Sequence, residues 1–380
     1  MFFLFFLLLT IYYFTSNGNT PYDYFTRLAA SFLEGKYYLT EAPPWLNELV
    51  PLATGKYAVV FPPAPALLLI PLVAVFGQNF PQQYLAHFLG AGVGVLFFFL
   101  SLRIKKSLKL ALWSTLAFSL GSIVWFLSAT GSVWYLGQVT GTFFLTAAIL
   151  KSTQKRPYAT GVFLGLAYLS RVTAILALPF FVFSFLEKNK LKQSLPALIK
   201  MALGILPLLL LDFGYNYIRF GSIINEGYAL IPGVLTEPWF AKGLIHPSYI
   251  PNHLKVIFTQ LPLFQNTAPF IKPSWVGLAI WITSPFFVYS LWANIKEKAN
   301  LWAWLVTSAI ALLVFSHGSL GFTQFGHRYA VDFYPFLMLL TIKGVAKTGL
   351  RWHHWLLLIL SILVNLWGVF WINKFGWVSY

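Results

Sequence analysis

"FPPAPALLLIPLVAVFG", residues 61 to 77, is apolar enough to pass for a membrane span, and whether it crosses decides the sidedness of everything after it. Four prolines, Pro62, Pro63, Pro65 and Pro71, punctuate it. Proline removes a backbone donor and its ring clashes with the preceding turn, so the stretch suits a short interrupted segment better than a regular crossing. The basic residues further along argue the same way. Lys and Arg gather in short loops that stay on the cytoplasmic side. Five loops qualify: Arg103, Lys105, Lys106 and Lys109; Lys151, Lys155 and Arg156; Lys188, Lys190 and Lys192; Lys296 and Lys298; Lys343, Lys347 and Arg351. Counting residues 61–77 as a crossing would put the first of these outside and invert the rest. The stretch therefore reads as a juxtamembrane or re-entrant helix.

Composition supports a bilayer setting. The 380 residues are 58% hydrophobic, 19% aromatic and 9% charged, far outside the range of soluble domains. Apolar runs recur at the length that crosses about 30 Å of hydrocarbon, and they are apolar on every face, unlike the alternating strands of a β-barrel. The expected fold class is an all-α polytopic membrane protein in one integral domain, residues 1–380. The first span, Phe2 to Phe14, runs outward, with later spans near 84–103, 110–127, 133–150, a hairpin over 158–186, 196–212, 274–292, 301–316, 328–346 and 352–371. That makes eleven crossings of the plasma membrane, with the N-terminus cytoplasmic, the C-terminus outside and external loops at 15–83 and 213–273. The chain starts directly in Phe and Leu, so a start further upstream is expected.

The net charge of +16 arises from these loops and forms no basic groove, which argues against a nucleic-acid partner. The chain has no cysteine, which excludes thiolate catalysis and Cys-ligated metal. Of its ten carboxylates only Glu187 and Glu297 fall on the cytoplasmic side of this map, so chemistry is expected at the outer face.

Asp23, in "TPYDYF", follows the first span and suits a general base, although an acid at a helix start also suits the helix dipole. Glu34, Glu41 and Glu48 recur every seven residues among Tyr37, Tyr38 and Trp45, a pattern that fits carbohydrate and equally fits aromatic anchors at a headgroup layer. Arg171 interrupts an apolar stretch, where guanidinium could hold a lipid phosphate or snorkel to headgroups. Asp212 and Arg219 read as a structural pair or a loop anchor. In "HGSLGFTQFGHRYAVDFYPF", residues 317–336, His317, Gln324, His327, Arg328 and Asp332 crowd together. Arg328 and Asp332, four apart, either neutralise each other on one helix face or divide the work of meeting an anionic donor. His246 and His253, with Glu226 and Glu237, match no familiar metal-ligand spacing. No cofactor is implied, with a divalent metal left open. Walker, dinucleotide, GxSxG and HExxH motifs are absent from the sequence.

Taken in order, the Asp after the first span, the long first loop, "YAVVFPPAPALLLIP", the Arg in "GLAYLSRVT", "NYIRFGSIINEGY" and "QFGHRYAVDFYPF" resemble the GT-C membrane glycosyltransferases. Within them the likeness is to bacterial and archaeal relatives of the dolichyl-phosphate-mannose protein mannosyltransferases and of the lipid A aminoarabinose transferase. The resemblance implies a GT-C bundle that transfers a hexosyl or pentosyl group from a polyprenyl-phosphate-linked sugar to an extracytoplasmic glycan, lipid or protein, with inversion. It implies Asp23 as catalytic base and Arg171 and Arg328 as holders of the donor phosphate. Gln324, His327, Asp332 and Tyr24 accompany them as candidate substrate-binding residues. Relatives often carry two adjacent acids. Here Tyr24 follows Asp23, so a second acid would come from Glu41 or Glu48. The rival readings are a transporter or lipid flippase, since broken helices and buried charges also mark translocation paths, and a GT-C-like scaffold without activity.

Overall fold

The computed structural model describes residues 1–186 and 191–376. Helix α1 (Phe2–Thr15) leads into a turn closed by the Ser16 hydroxyl, which accepts from the Gly18 amide at 3.2 Å. The first long loop then folds on itself. It carries α2 (Tyr24–Leu33), an antiparallel ribbon of β1 (Leu49–Ala53) and β2 (Lys56–Val59) turning at Gly55, and α3 (Ala64–Phe76). Helix α3 is about 20 Å long, short of the hydrocarbon thickness.

Both flanks of α3 are tied to one end of the molecule. On one side, the Val59 carbonyl accepts from Arg219 and the Val60 carbonyl from Asn225. On the other, Gln82 Nε2 donates to the carbonyls of Tyr22 at 3.2 Å and Gly131 at 2.9 Å. The chain thus enters and leaves α3 at the same end.

There follow α4 (Gln83–Ile104), α5 (Leu108–Ser119), α6 (Val124–Thr130), α7 (Val133–Thr153) and α8 (Pro157–Tyr168). A 3-10 turn over Val172–Ala177 runs into α9 (Leu178–Phe185), and α10 (Leu191–Phe220) is the longest helix. The second loop holds α11 (Ile250–Thr259) and a two-residue ribbon of β3 (Leu263–Phe264) with β4 (Ile271–Lys272). Then come α12 (Ile280–Thr283), a 3-10 stretch Pro285–Trp292, α13 (Lys298–Phe315), a 3-10 turn Arg328–Asp332, α14 (Tyr334–Thr348) and α15 (Trp352–Val369).

Five helices are long and apolar enough to cross a bilayer, six if α5 and α6, bent by 59°, count as one. The chain is a multi-pass membrane protein. Its centre is α7, buried along most of its length, where the hydroxyls of Thr140 and Thr146 donate to the carbonyls four residues back at 2.7 Å. Helices α8 and α10 approach closely because Gly161 and Gly204 face each other's backbone, with no room for a Cβ on either.

The basic loops converge at the end opposite α3. Arg103 donates to the Thr153 carbonyl, Lys105 to that of Ala346 at 2.8 Å, and Lys343 to Asn300 at 2.6 Å. Lys155 reaches the Ser184 carbonyl at 2.6 Å, so α8 and α9 begin and end at this same basic end and turn near Arg171. Lys188, Lys190 and Glu187 lie outside the described residues.

Three sequence expectations change. The 110–127 span is broken between Ser119 and Val124, where Gly121 and Ser122 interrupt the helix. The 274–292 span is irregular: Pro273 and Pro285 restrict it to α12 and a 3-10 stretch, and Asn365 of α15 donates to the Thr283 carbonyl in the gap. Non-helical backbone at such depth is tolerated when buried against protein. The all-α class also gains two small ribbons, both within the long loops.

Candidate active site

A cavity of about 820 Å³ opens at the end of the bundle away from the basic loops, walled by both long loops and the end of α15. Glu48 projects into it. Trp134, at the first turn of α7, donates its indole N–H to Glu48 Oε2 at 2.8 Å, and the Tyr228 hydroxyl donates to Oε1 at 3.1 Å. The Glu48 amide in turn donates to the Tyr24 hydroxyl at 2.9 Å. Three elements far apart in sequence thus fix one carboxylate.

Burial pushes the Glu48 carboxyl above its ordinary range, and neighbouring Glu237 adds to the rise; the Trp134 and Tyr228 hydrogen bonds and the charge of Arg328 pull the other way. Glu237 also lines the cavity, accepting from Trp239 Nε1 at 2.8 Å. Tyr22 packs on Trp134 with ring centroids 4.8 Å apart, giving the wall an aromatic surface beside its carboxylates.

Asp23 caps the start of α2, one residue beyond Tyr22. Its Oδ1 accepts from Arg27 Nε at 2.8 Å, a quarter of its side chain is exposed, and Oδ2 takes no hydrogen bond from the described residues. Tyr24 is fully buried, so it positions Glu48 rather than facing the cavity. Glu41 is exposed and away from the cavity, and Glu34 pairs with Lys36 on the surface.

Arg171 and Asp332, 161 residues apart, form a two-pronged pair, Arg171 Nη2 to Oδ2 at 2.8 Å and Nε to both oxygens, with the Thr173 hydroxyl adding 2.7 Å to Oδ2. The expected match of Arg328 with Asp332 does not form. Residues 328–332 are a 3-10 turn with three residues per turn, so positions four apart point about 120° away from each other. Arg328 is left buried at 8% exposure, its guanidinium lying against the rings of Tyr329 and of cavity-lining Tyr135. Among the described residues it forms no ion pair, and its Nε has no hydrogen-bond partner.

Gln324 ties its own loop together by donating to the carbonyls of Val276 at 2.6 Å and Leu320 at 2.7 Å. His327 meets His253, Nε2 to Nδ1, at 3.0 Å, and His253 Nε2 donates to the His317 carbonyl at 2.8 Å. Burial lowers the pKa of all three histidines, His317 to about 4, so they are neutral at physiological pH. His246 is exposed and bonded to Ser248, apart from that cluster, and among the described residues no group of three or more His, Asp or Glu converges as a metal site. Asp212 accepts from Tyr168 at 2.7 Å and from Asn216 at 3.0 Å, while Arg219 lies over Tyr215; these serve the α8–α10 contact and the loop above it.

Trp134, Tyr228 and Trp239 are the site residues that sequence reading passes over. In the sequence each is one aromatic among many; the carboxylate it holds, Glu48 for Trp134 and Tyr228 and Glu237 for Trp239, gives each a task.

This arrangement of broken helices, paired long loops and an end-on cavity has the GT-C fold. No protein-family model matches the chain, and no curated protein is similar to it by sequence search. Among solved structures, it superposes on ArnT from Cupriavidus metallidurans bound to undecaprenyl phosphate, with a TM-score of 0.52, 14% identity, and 96% of this chain covering 62% of that one. It also superposes on the oligosaccharyltransferase AglB from Archaeoglobus fulgidus in complex with an inhibitory peptide and a dolichol-phosphate, with a TM-score of 0.56, 10% identity, and 98% of this chain covering 55% of that one. The chain thus spans about three fifths of the length of the structures it matches. At these identities the likeness is one of fold.

Proposed function

We propose that the chain is a membrane glycosyltransferase that moves a sugar from a polyprenyl-phosphate donor to an acceptor hydroxyl or amide at the extracytoplasmic face. In this reading the basic loops lie inside and the cavity outside. The observation that carries it is a cavity lined by the carboxylates Glu48 and Glu237, with a buried cation behind its wall residue Tyr135, Arg328, which forms no close ion pair among the described residues. Arg328 is available for an anion supplied by substrate, which a phosphate would be.

Asp23 is the proposed base. Arg27 holds one of its oxygens, and the other is free to take a proton from the acceptor as the acceptor atom attacks the anomeric carbon. The bond from that carbon to the phosphate oxygen breaks on the opposite face, its electron pair leaving with the polyprenyl phosphate. A fixed guanidinium stabilises the charge that grows there. Glu48 is the proposed second acid. The residue after Asp23 is Tyr24, and through its hydroxyl Tyr24 brings the Glu48 backbone to the start of α2. Arg171 is already matched by Asp332, so its proposed part is to shape the floor rather than to hold phosphate.

The test is sugar release from radiolabelled polyprenyl-phosphate sugars by the protein in lipid, comparing wild type with Arg328→Gln. The reading requires turnover in wild type and a weakened hold on donor in the variant, seen as a raised KM. Movement of intact lipid-linked sugar across vesicles without its cleavage would replace transferase by flippase, and no turnover with any donor would leave a scaffold.

A further inference from the structure

A second, smaller niche of about 370 Å³ lies beside the main cavity, between the outer end of α1 and the first turn of α4, with Asn17 in the wall of both. It is a polar place in an apolar setting. Gln83 and His87, one turn apart on α4, line it and are 2% and 1% exposed. His87 Nδ1 lies 2.6 Å from the Ser128 carbonyl. A carbonyl can only accept, so the proton of the neutral ring is on Nδ1 and Nε2 is a bare acceptor. That Nε2 has no partner among the described residues. Gln83 gives its Nε2 to Asn19 at 3.0 Å and leaves Oε1 equally without a partner. Buried polar atoms are rarely left so, because each costs the full desolvation of the group.

What would satisfy these atoms follows from their chemistry. Two acceptors call for donors, whereas a phosphate at neutral pH presents mostly acceptor oxygens and a negative charge. Among the described residues Lys374 is the one cation in the niche wall, and its ammonium is already bonded to the Ser16 carbonyl at 2.6 Å. Tyr84 and Tyr13 stand at the rim, 40% and 53% exposed, and offer flat faces. Adjacent hydroxyls on a carbon framework whose C–H face meets an aromatic ring match both features.

We propose that this niche is a polyol subsite, which takes one hydroxyl-bearing ring or head group beside the main cavity, with His87 Nε2 and Gln83 Oε1 receiving its hydroxyl protons. The proposal does not depend on the transfer reaction.

The experiment is saturation-transfer NMR of methyl glycosides with the full chain in phosphatidylcholine nanodiscs. Four proteins are compared: wild type, Gln83→Leu, His87→Asn and Glu34→Gln. Asn keeps a donor for Ser128 and removes only the Nε2 acceptor. Gln83→Leu, which gives up a single bond to Asn19, carries the test if His87→Asn does not fold. The expected result is saturable binding that weakens about tenfold or more in the two niche variants, as loss of a buried hydrogen bond implies, and is unchanged in the surface variant Glu34→Gln. Inorganic phosphate at equal concentration does not compete. If phosphatidylglycerol discs abolish glycoside binding, the occupant is a lipid head group; if they leave it intact, the occupant is a soluble or acceptor sugar. Both outcomes uphold the polyol chemistry. It is overturned if neither glycoside nor phosphatidylglycerol binds, if phosphate displaces the glycoside, or if both niche variants bind the glycoside as wild type does.

Discussion

Asp23, Glu48 and Asp332 are three carboxylates with three surroundings, and they divide the residue-scale expectations among them. Asp23→Asn keeps the shape and the contact with Arg27 but removes the base. We expect turnover to fall about a hundredfold or more at equal folded yield, the usual loss for a general base, and unchanged turnover would transfer the role to Glu48. Glu48 gives a pH signature. Its carboxyl is held above the ordinary range, so as pH falls it protonates earlier than a free glutamate, and kcat/KM should decline on an acid limb that begins above the usual carboxylate values. Trp134→Phe deletes a donor that favours the charged form, so the limb should move to higher pH; an unmoved limb means Glu48 does not titrate in the reaction. Asp332 is structural. Asp332→Asn leaves Arg171 in a mostly buried place without its counter-charge, and should cost stability toward the low end of roughly 3–5 kcal/mol, read as a lower apparent Tm in detergent. A variant as stable as wild type would show that the pair contributes nothing net.

Among the elements, the α8–α10 contact is the most exacting, because a glycine on each helix meets backbone of the other. Gly161→Val forces the pair apart and should destabilise by about 1–3 kcal/mol or more, whereas the same change at Gly214, which has open space around it, should be close to silent; thermal unfolding of the two variants side by side checks this. Elements were also where sequence reading was most and least informative. Helix α7 and helix α10 were legible because an unbroken apolar run of that length has one common meaning in a bilayer. The segment 274–292 was not. Hydropathy averages over a window and hides what Pro273, Ser284 and Pro285 do to the backbone, and it cannot see that Asn365 comes from elsewhere to receive the broken helix. Much the same separates Arg328 from Asp332. The spacing of four is a sound guide on an α-helix, and it failed because that turn is 3-10. The carboxylates of the first loop could be named from sequence, but choosing Glu48 over Glu41 required Tyr24, Trp134 and Tyr228, whose contacts are tertiary.

At the scale of the whole molecule, sidedness is the testable quantity. The chain is free of cysteine, so single cysteines can be introduced without first removing any. With the basic loops inside, Glu41→Cys and Lys242→Cys should react with an impermeant maleimide in intact cells, and Lys106→Cys and Lys347→Cys only after permeabilisation. The reverse pattern would invert the map and place the cavity in the cytoplasm.

The Arg171–Asp332 pair has a further consequence, for the order in which the molecule is made. A ribosome delivers the turn between α8 and α9 long before it delivers residue 332. Through that interval the nascent chain holds an arginine whose counter-charge has not yet been synthesised, in a hairpin too short to be secured by its own apolar surface. This contact therefore closes only once residue 332 has been made, and a chain stalled just short of Asp332 should be handed to quality-control proteases, whereas one stalled just beyond α14 should survive.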